Sequence, residues 1–184
     1  MHNGKVKIIT GIRRCGKSYL LRHIFKDYLL GEGVSPDHII EIALDQKEYE
    51  KYRNPNALYE YVLSRIQGEG DYYLFVDEIQ LSYKVKREDV DLSKIAAEDQ
   101  GLAYTTFYDA LNDLMAKPNL DIYVTGSNSR MLSKDIATNF RDRGCEIRMY
   151  PLSFSEYYAV CPFPNSRRRS NVTIPARPNR SRRD

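Results

Sequence analysis

The stretch from Gly11 to Ser18 constrains the fold of this chain more than any other part of the sequence. It matches the pattern G-x-x-x-x-G-K-[ST] and follows directly after the β-favouring residues Val6, Ile8, Ile9 and Thr10. The two glycines allow a tight backbone turn that aims successive N–H groups inward, at the positive end of the following helix. Such a loop suits a phosphate group. The pattern therefore predicts a strand, a phosphate-binding loop and a helix, in this order.

The predicted nucleotide site begins with this loop. Lys17 would reach the β- and γ-phosphates of the nucleotide, and the Ser18 hydroxyl would be one ligand of Mg²⁺. The predicted nucleotide contacts are Gly11, Ile12, Arg13, Arg14, Cys15, Gly16, Lys17, Ser18 and Tyr19. The alternative is a glycine-rich turn that opens an ordinary helix. A periodic helix favours the phosphate site: Leu20, Leu21, Ile24, Phe25 and Tyr28 are predicted to share one face, and Gly31 to end it.

Strands and amphipathic helices alternate along the chain. Strands are predicted over residues 6–10, 38–44, 72–76, 120–124 and 147–150. A helix capped by Asn54 is predicted to end at Gly68, and another that begins near Phe107 is predicted to stop at Pro118. Residues 131–140 suggest a broken helical stretch. This alternation predicts an α/β fold with a parallel sheet that is covered on both faces.

Two acidic residues end the third predicted strand. Residues 72–76 form an apolar run typical of a strand buried on both sides, and Asp77 and Glu78 follow it. Ligands of parallel sheets bind at the carboxyl ends of the strands, so these acids are expected at the same edge as the phosphate loop. We expect Asp77 to hold Mg²⁺, directly or through water, and Glu78 to orient or deprotonate an attacking water. The alternative is a solvated acidic turn, and the upstream phosphate loop argues against it.

The fourth predicted strand ends in the sequence TGSN, residues 125–128. Small hydroxyl and amide side chains at this tip can hydrogen-bond a γ-phosphate or the lytic water. Ser127 and Asn128 are therefore predicted to sense the terminal phosphate, and Asn128 is assigned a catalytic role. A tight turn through Gly126 is the alternative.

Two segments depart from the alternating pattern. Residues 81–104 are charged and aperiodic, and they are much longer than the usual βα connection of about 2–6 residues. We predict a solvated surface insertion, with a partner-binding element as the alternative. Residues 162–184 hold seven arginines and one aspartate, with proline and serine, and are predicted to be disordered. A nucleic-acid arm and a non-native ending are the two interpretations, and the second is favoured. The predicted domains are thus 1–161 and this tail.

The charge distribution gives no support for a nucleic-acid surface on the body of the chain. The net charge is +3, but residues 1–161 hold 21 Lys and Arg against 24 Asp and Glu. The three cysteines lack the spacing of metal ligands, which indicates a reducing compartment. The sequence has no apolar run near 18 residues, so no membrane span is predicted. Both favour the cytoplasm. Cys15 lies near a predicted helix N-terminus, where a thiol can be reactive. The alternative, which is favoured, is that Cys15 is a small residue that only fills space in the loop.

Four segments together resemble a known family. GIRRCGKS, YLFVDEIQ, YVTGSNSRMLS and MYPLSFSEYY are similar to bacterial and archaeal ATP-binding proteins of the AAA-type P-loop superfamily, whose ATPase core precedes a C-terminal domain of unknown function. The resemblance covers residues 5–160. It implies ATP and Mg²⁺ as ligands, the sheet order 5-1-4-3-2, and the same roles for Lys17, Ser18, Asp77 and Glu78. It also implies a sensor at Ser127 or Asn128.

The resemblance also implies that Arg143 is an arginine finger, which acts on a neighbouring subunit and therefore requires a homo-oligomer. A surface ion pair is the alternative role of Arg143. The chain departs from the family in three ways. Only residues 1–4 precede the first strand, the insertion after Gln80 is longer than expected, and the C-terminal domain is missing. The biological output and the protein partner are therefore not predicted.

Three function classes follow from these features. An ATPase that drives a conformational change is favoured by Glu78, which provides a base for water. A nucleotide-gated binding switch with little turnover is the second class. A small-molecule kinase is the third, but the acidic pair and the sensor strand fit water better as the acceptor.

Overall fold

Five parallel strands form the central sheet of the computed structural model, which describes residues 3–126, 140 and 143–160. They are β1 (Val6–Thr10), β2 (Ile39–Ala43), β3 (Tyr72–Asp77), β6 (Leu120–Thr125) and β7 (Gly144–Arg148), while β4 (Val85–Lys86) and β5 (Tyr104–Thr105) form a separate antiparallel pair. The order across the main sheet is β2-β3-β6-β1-β7, and every pair is parallel. Counted within this sheet alone, in chain order, this is the predicted 5-1-4-3-2. The short strands β4 and β5 change only the numbering.

The first three described helices flank the sheet, and local sequence explains where they begin. Helix α1 consists of three contiguous segments, Lys17–Tyr19, Leu20–Phe25 and Lys26–Gly31, followed along the chain by α2 (Pro55–Arg65), α3 (Phe107–Leu114) and α4 (Phe154–Val160). The Asn54 side chain accepts the backbone N–H groups of Asn56 and Ala57, as predicted for an N-cap. Thr106 and Asp109 form a capping box at the start of α3. The predicted α/β class is confirmed.

The core lies on both faces of the sheet. One face packs against α2 and α3, and its buried members include Ile8, Ile42, Leu58, Leu74, Leu111 and Ile122. The other face packs against α1 through Ile9, Leu21, Leu29, Phe75 and Tyr123. Because both faces are covered, β3 and β6 are buried along their whole length, which accounts for their nearly continuous apolar sequence.

The predicted buried face of α1 is partly wrong. Leu21 and Leu29 are fully buried, but Ile24 and Tyr28 are 56% and 49% exposed. The middle segment of α1, Leu20–Phe25, is a π-helix whose wider turn includes a bond from the Lys26 N–H to the Leu21 carbonyl. A wider turn rotates later residues relative to a straight α-helix, so Leu29 takes the inward position that the 3.6-residue period assigned to Tyr28.

The predicted bounds of the fifth strand are also wrong. The strand runs from Gly144 to Arg148 instead of 147–150, and Ile147 is 39% exposed. It forms the outer edge of the sheet and pairs only with β1 within the described residues. An exposed edge strand lacks the buried apolar pattern by which the inner strands were located. The predicted helical stretch at 131–140 lies outside the described residues, except for the buried Phe140.

The segment after β3 is mostly exposed. Residues 81–102 contain short turns and β4, and β5 follows at 104. Contacts divide the chain into two units, Met1–Pro151 and Leu152–Asp184. In the second unit, Ser153 and Glu156 cap α4, and their side chains form a hydrogen bond of 2.7 Å. The predicted tail at 162–184 lies outside the described residues. None of the described helices has the length and apolar character needed to cross a bilayer.

Candidate functional site

The sheet order brings two predicted motifs to one edge. β6 lies between β1, which leads into the phosphate loop, and β3, which ends in Asp77. Neighbouring strands lie about 4.8 Å apart, so the tips of β1 and β3 are separated by roughly 10 Å. The carboxyl ends of parallel strands are where ligands bind in this class of sheet. Residues far apart in the sequence thus meet at one candidate site.

The phosphate loop has the backbone geometry that its glycines predict. Gly11 and Gly16 have positive φ angles of 153° and 98°, and Gly16 is the N-cap of α1. Arg14 is also in the left-handed region, with φ at 67°. No side chain within the described part of the chain caps this helix end. The positive end of the α1 dipole therefore faces the loop, and no described side chain is hydrogen-bonded to this helix end.

Lys17 is buried within the loop. Its Nζ donates hydrogen bonds to the carbonyl oxygens of Gly11 and Ile12, each at 2.9 Å, and lies 3.9 Å from Cys15 Sγ. Only 5% of the residue is exposed. The Lys17 ammonium has three hydrogen-bond donors and no acceptor, and two of the donors are bonded to carbonyl oxygens of the loop. These contacts hold the Lys17 side chain against the loop.

The loop is supported from the edge strand. The Met149 N–H donates to the Thr10 carbonyl at 2.7 Å, and the Thr10 hydroxyl donates to Glu146 Oε1 at 2.6 Å. A Cβ atom at Gly11 would lie 2.5 Å from the Met149 carbonyl oxygen and 2.8 Å from Cys15 Sγ. Glycine is therefore required at position 11. The Cys15 sulfur fills space beside it, which agrees with the filler interpretation of this cysteine.

A buried threonine connects the acidic pair to β6. The Thr125 hydroxyl donates to Asp77 Oδ1 and accepts the Glu78 N–H at 3.2 Å. Asp77 is 6% exposed and Thr125 is fully buried. Gln80 Nε2 donates to Glu78 Oε2. These contacts give both acidic residues a defined orientation at the tip of β3.

The other predicted site residues differ in their placement. Ser18 is half-buried, whereas Ile12, Arg13, Arg14 and Tyr19 are exposed. Ser127 and Asn128 lie outside the described residues. Arg143 is exposed and precedes β7, where its carbonyl accepts the Val6 N–H at 2.9 Å. It therefore lies at the start of β1, on the order of 15 Å from the phosphate loop at the other end of that strand. The structure does not bring Arg143 to the site of its own chain.

The residues at the site fit a magnesium ion. Asp77 offers a carboxylate at the sheet edge, with one oxygen bonded to Thr125, and Ser18 offers a hydroxyl at the start of α1. Mg²⁺ prefers oxygen ligands and is commonly held by one or two carboxylates together with substrate phosphates. The available ligands are therefore of the right chemical type.

Sequence reasoning missed three contributors to the site. Thr125 was assigned to phosphate contact with the rest of its strand tip, but its hydroxyl bonds Asp77 and the Glu78 amide. Gln80, which holds the Glu78 carboxylate, was not assigned to the site. Met149, whose carbonyl oxygen lies against Gly11, was predicted to belong to the fifth strand, but no role at the site was assigned to it. Thr125 could have been identified only from the position of β6 beside β3, which the family resemblance implied but which no local pattern carries.

The fold and the loop together define a P-loop α/β nucleotide-binding domain. The chain belongs to the AAA domain family, since the family model described as "AAA domain" matches residues 3–158. An uncharacterized protein of Haemophilus influenzae is 29% identical over 153 residues, which cover 83% of this chain and 32% of that protein. An uncharacterized protein of Methanocaldococcus jannaschii is 32% identical over 172 residues, covering 91% and 31%. The chain thus spans about a third of the length of these relatives.

A solved structure shares the fold. C. elegans PCH-2 superimposes with a TM-score of 0.55 at 13% identity, over 85% of this chain and 37% of that chain. The E. coli MS115-1 HORMA:CdnC:Trip13 complex gives a TM-score of 0.49 at 12% identity, over 86% and 52%. At this level of identity the similarity to PCH-2 concerns the fold alone.

Proposed function

We propose that this domain binds ATP together with Mg²⁺ and hydrolyses the bond to the γ-phosphate. The observation that carries the proposal is the arrangement of Lys17, Asp77 and Glu78 along one sheet edge, next to a helix N-terminus that no described side chain caps. A phosphate loop alone binds anions of many kinds. An ordered carboxylate pair beside it adds a metal ligand and a base, which are the groups that hydrolysis requires.

Each residue then has a defined task. The loop amides and Lys17 bind the phosphates, and Ser18 and Asp77 would hold Mg²⁺, which neutralises charge that develops on the phosphate oxygens. Glu78 orients the attacking water and accepts its proton. In this proposal Ser127 and Asn128 contact the γ-phosphate or that water.

Two substitutions test the proposal. Lys17→Ala should weaken binding of Mg-ATP by about 1.5–3 kcal/mol, because charged hydrogen bonds are lost, and titration of a fluorescent ATP analogue measures it. Glu78→Gln should leave that affinity unchanged and lower phosphate release by roughly 10² to 10⁴, because the shape is kept and the base is lost.

The matched controls are Lys117→Ala and Glu88→Gln, which alter exposed residues of the same types. Lys117 precedes β6 at the opposite end of the sheet, and Glu88 follows β4, which is outside the main sheet. Both controls should therefore keep wild-type affinity and turnover. Unchanged affinity in Lys17→Ala would remove the phosphate-loop assignment, and unchanged phosphate release in Glu78→Gln would remove hydrolysis through this residue.

A nucleotide-gated binding switch is the second candidate. It is favoured by the bond from Gln80 to the Glu78 carboxylate, because a carboxylate held by a neighbouring amide is less available as a base. If Gln80 restrains Glu78, Gln80→Ala should raise the steady-state rate of phosphate release. A lower or equal rate in Gln80→Ala would favour the ATPase, with Gln80 as an orienting group.

A further inference from the structure

We propose that Thr125 is a positioning residue, whose buried hydroxyl fixes the Asp77 carboxylate and the Glu78 backbone in the arrangement that turnover requires. The role in turnover rests on the proposed ATPase function. The hydrogen-bond geometry does not depend on that function and is tested separately below.

The Thr125 hydroxyl makes one hydrogen bond as donor and one as acceptor. It donates to Asp77 Oδ1 and accepts the Glu78 N–H at 3.2 Å, while the residue has no exposed surface. A buried hydroxyl that both donates and accepts has a fixed proton direction. The two bonds therefore act as one connection from the tip of β6 to two consecutive residues after β3.

Asp77 is the first residue that this hydroxyl positions. The residue is 6% exposed, and a polar group that is buried to this extent is costly unless it is hydrogen-bonded. Thr125 lies one position beyond the register pair of Val76 and Val124, so the donor comes from the adjacent strand at the same level. The direction of the Asp77 carboxylate therefore depends on the pairing of β3 with β6.

Glu78 is the second residue that this hydroxyl positions. The backbone of Glu78 is left-handed, with φ at 55° and ψ at 48°, a conformation that is strained for a non-glycine residue. The Glu78 N–H is held by Thr125, and its carbonyl accepts the Leu81 N–H at 2.9 Å. These bonds offset the backbone strain. Without the Thr125 hydroxyl, the turn is free to relax and the Glu78 side chain changes direction.

The experiment compares two substitutions at position 125. Thr125→Val keeps the shape and removes the hydroxyl, whereas Thr125→Ser keeps the hydroxyl and removes a methyl group. Thr105→Val, in the separate pair β4–β5, is the control. Thr125→Ala is added in case the valine variant does not fold, because its smaller side chain leaves room for water beside Asp77.

The first measurement is hydrogen exchange of the Glu78 amide in the protein without nucleotide. Loss of the acceptor should speed this exchange about tenfold or more in Thr125→Val or Thr125→Ala, because a hydrogen bond to a buried group is lost. Thr125→Ser and Thr105→Val should stay near the wild-type rate. Unchanged exchange in a folded Thr125→Val protein would overturn the inference.

The second measurement is turnover. Thr125→Val should lower kcat about 10- to 100-fold and raise the Mg²⁺ concentration that gives the half-maximal rate. Its nucleotide affinity in the absence of Mg²⁺ should stay unchanged. Thr125→Ser should have nearly the wild-type kcat and Mg²⁺ requirement. Equal kcat in the valine variant and an active wild type overturns the positioning role and leaves the ATPase proposal intact. A wild type without turnover overturns the ATPase proposal together with this role in turnover, while the exchange result still decides the hydrogen bond.

Discussion

Glycine at position 11 is required by the backbone of Met149, a residue just after β7 and more than 130 positions away in the sequence. A methyl group there would meet the Met149 carbonyl oxygen at 2.5 Å, and this oxygen belongs to a backbone anchored by the bond from the Met149 N–H to Thr10. We therefore expect Gly11→Ala to lower the free energy of unfolding by about 1–3 kcal/mol, as overpacking does, and to weaken nucleotide binding. Urea unfolding and nucleotide titration measure the two effects.

The matched control is Gly31→Ala. No atom lies within 4 Å of a Cβ at this position, which is the last residue of α1. This substitution should leave nucleotide affinity unchanged and should not lower stability, since it reduces the freedom of the unfolded chain by about 0.4–1 kcal/mol. Equal stabilities of the two alanine variants would contradict the role given to Met149.

Tyr123 should make the protein less stable at alkaline pH. Burial raises the pKa of Tyr123 well above its ordinary value, and the negative charge of Asp121, which accepts its hydroxyl at 3.0 Å, raises this pKa further. Above a pH of about 10, the unfolded chain loses the Tyr123 proton and the folded chain keeps it, so the free energy of unfolding falls as pH rises.

We expect Tyr123→Phe to reduce this fall by up to about 1.4 kcal/mol per pH unit above pH 10. At neutral pH it should lose about 1 kcal/mol, because the hydrogen bond to Asp121 is removed. Urea unfolding between pH 8 and 11 measures both. Burial also raises the pKa of Tyr73, so Tyr73 contributes a similar loss of stability at alkaline pH to the wild type and to Tyr123→Phe. Parallel stability curves for the two proteins would show that Tyr123 does not cause the fall.

At the scale of the strands, a buried ion pair links β1 to β6. Lys7 Nζ bonds Asp121 Oδ1, and both residues are less than 8% exposed. Removing one partner leaves an uncompensated buried charge, so Lys7→Met or Asp121→Asn alone should cost about 3–5 kcal/mol. The double variant keeps an acceptor for Tyr123 and should be more stable than either single variant. Urea unfolding of the four proteins measures this coupling, and additive losses would contradict it.

At the scale of the whole molecule, Arg143 lies at the sheet edge opposite the phosphate loop of its own chain. Arg143 can therefore serve as an arginine finger only in a neighbouring copy, where such a residue is worth about 10³ to 10⁵ in rate. Under that proposal, mixing an Arg143→Ala chain with a Glu78→Gln chain should restore phosphate release, since one supplies the base and the other the arginine.

The control for the mixing experiment is each variant alone, which should remain slow at every protein concentration. Arg143→Ala should also keep wild-type affinity for ATP, because the side chain is remote from its own loop. If the mixture stays inactive although sizing shows co-assembly, Arg143 has a surface role and the ion-pair alternative stands.

Local sequence determined most of the strands, the caps of the helices and the phosphate loop. The N-cap at Asn54 and the glycines of the loop could be predicted because their conformations depend on neighbours a few residues away. The five-strand order also followed, but only from the family resemblance. The bounds of β7 were predicted wrongly, because an exposed edge strand lacks a regular apolar period. The buried face of α1 was predicted partly wrongly, because a π-helical turn shifts the period of the residues that follow it.

Tertiary structure alone decided which side chains complete the site. Thr125 bonds Asp77 because β6 pairs with β3, and Met149 closes on Gly11 because β7 pairs with β1. Arg143 is separated from Lys17 for the same reason, since parallel pairing puts the beginning of β7 beside the beginning of β1. A sequence specifies short-range conformation directly, whereas these contacts join residues brought together only by the pairing of whole strands and the burial of both sheet faces.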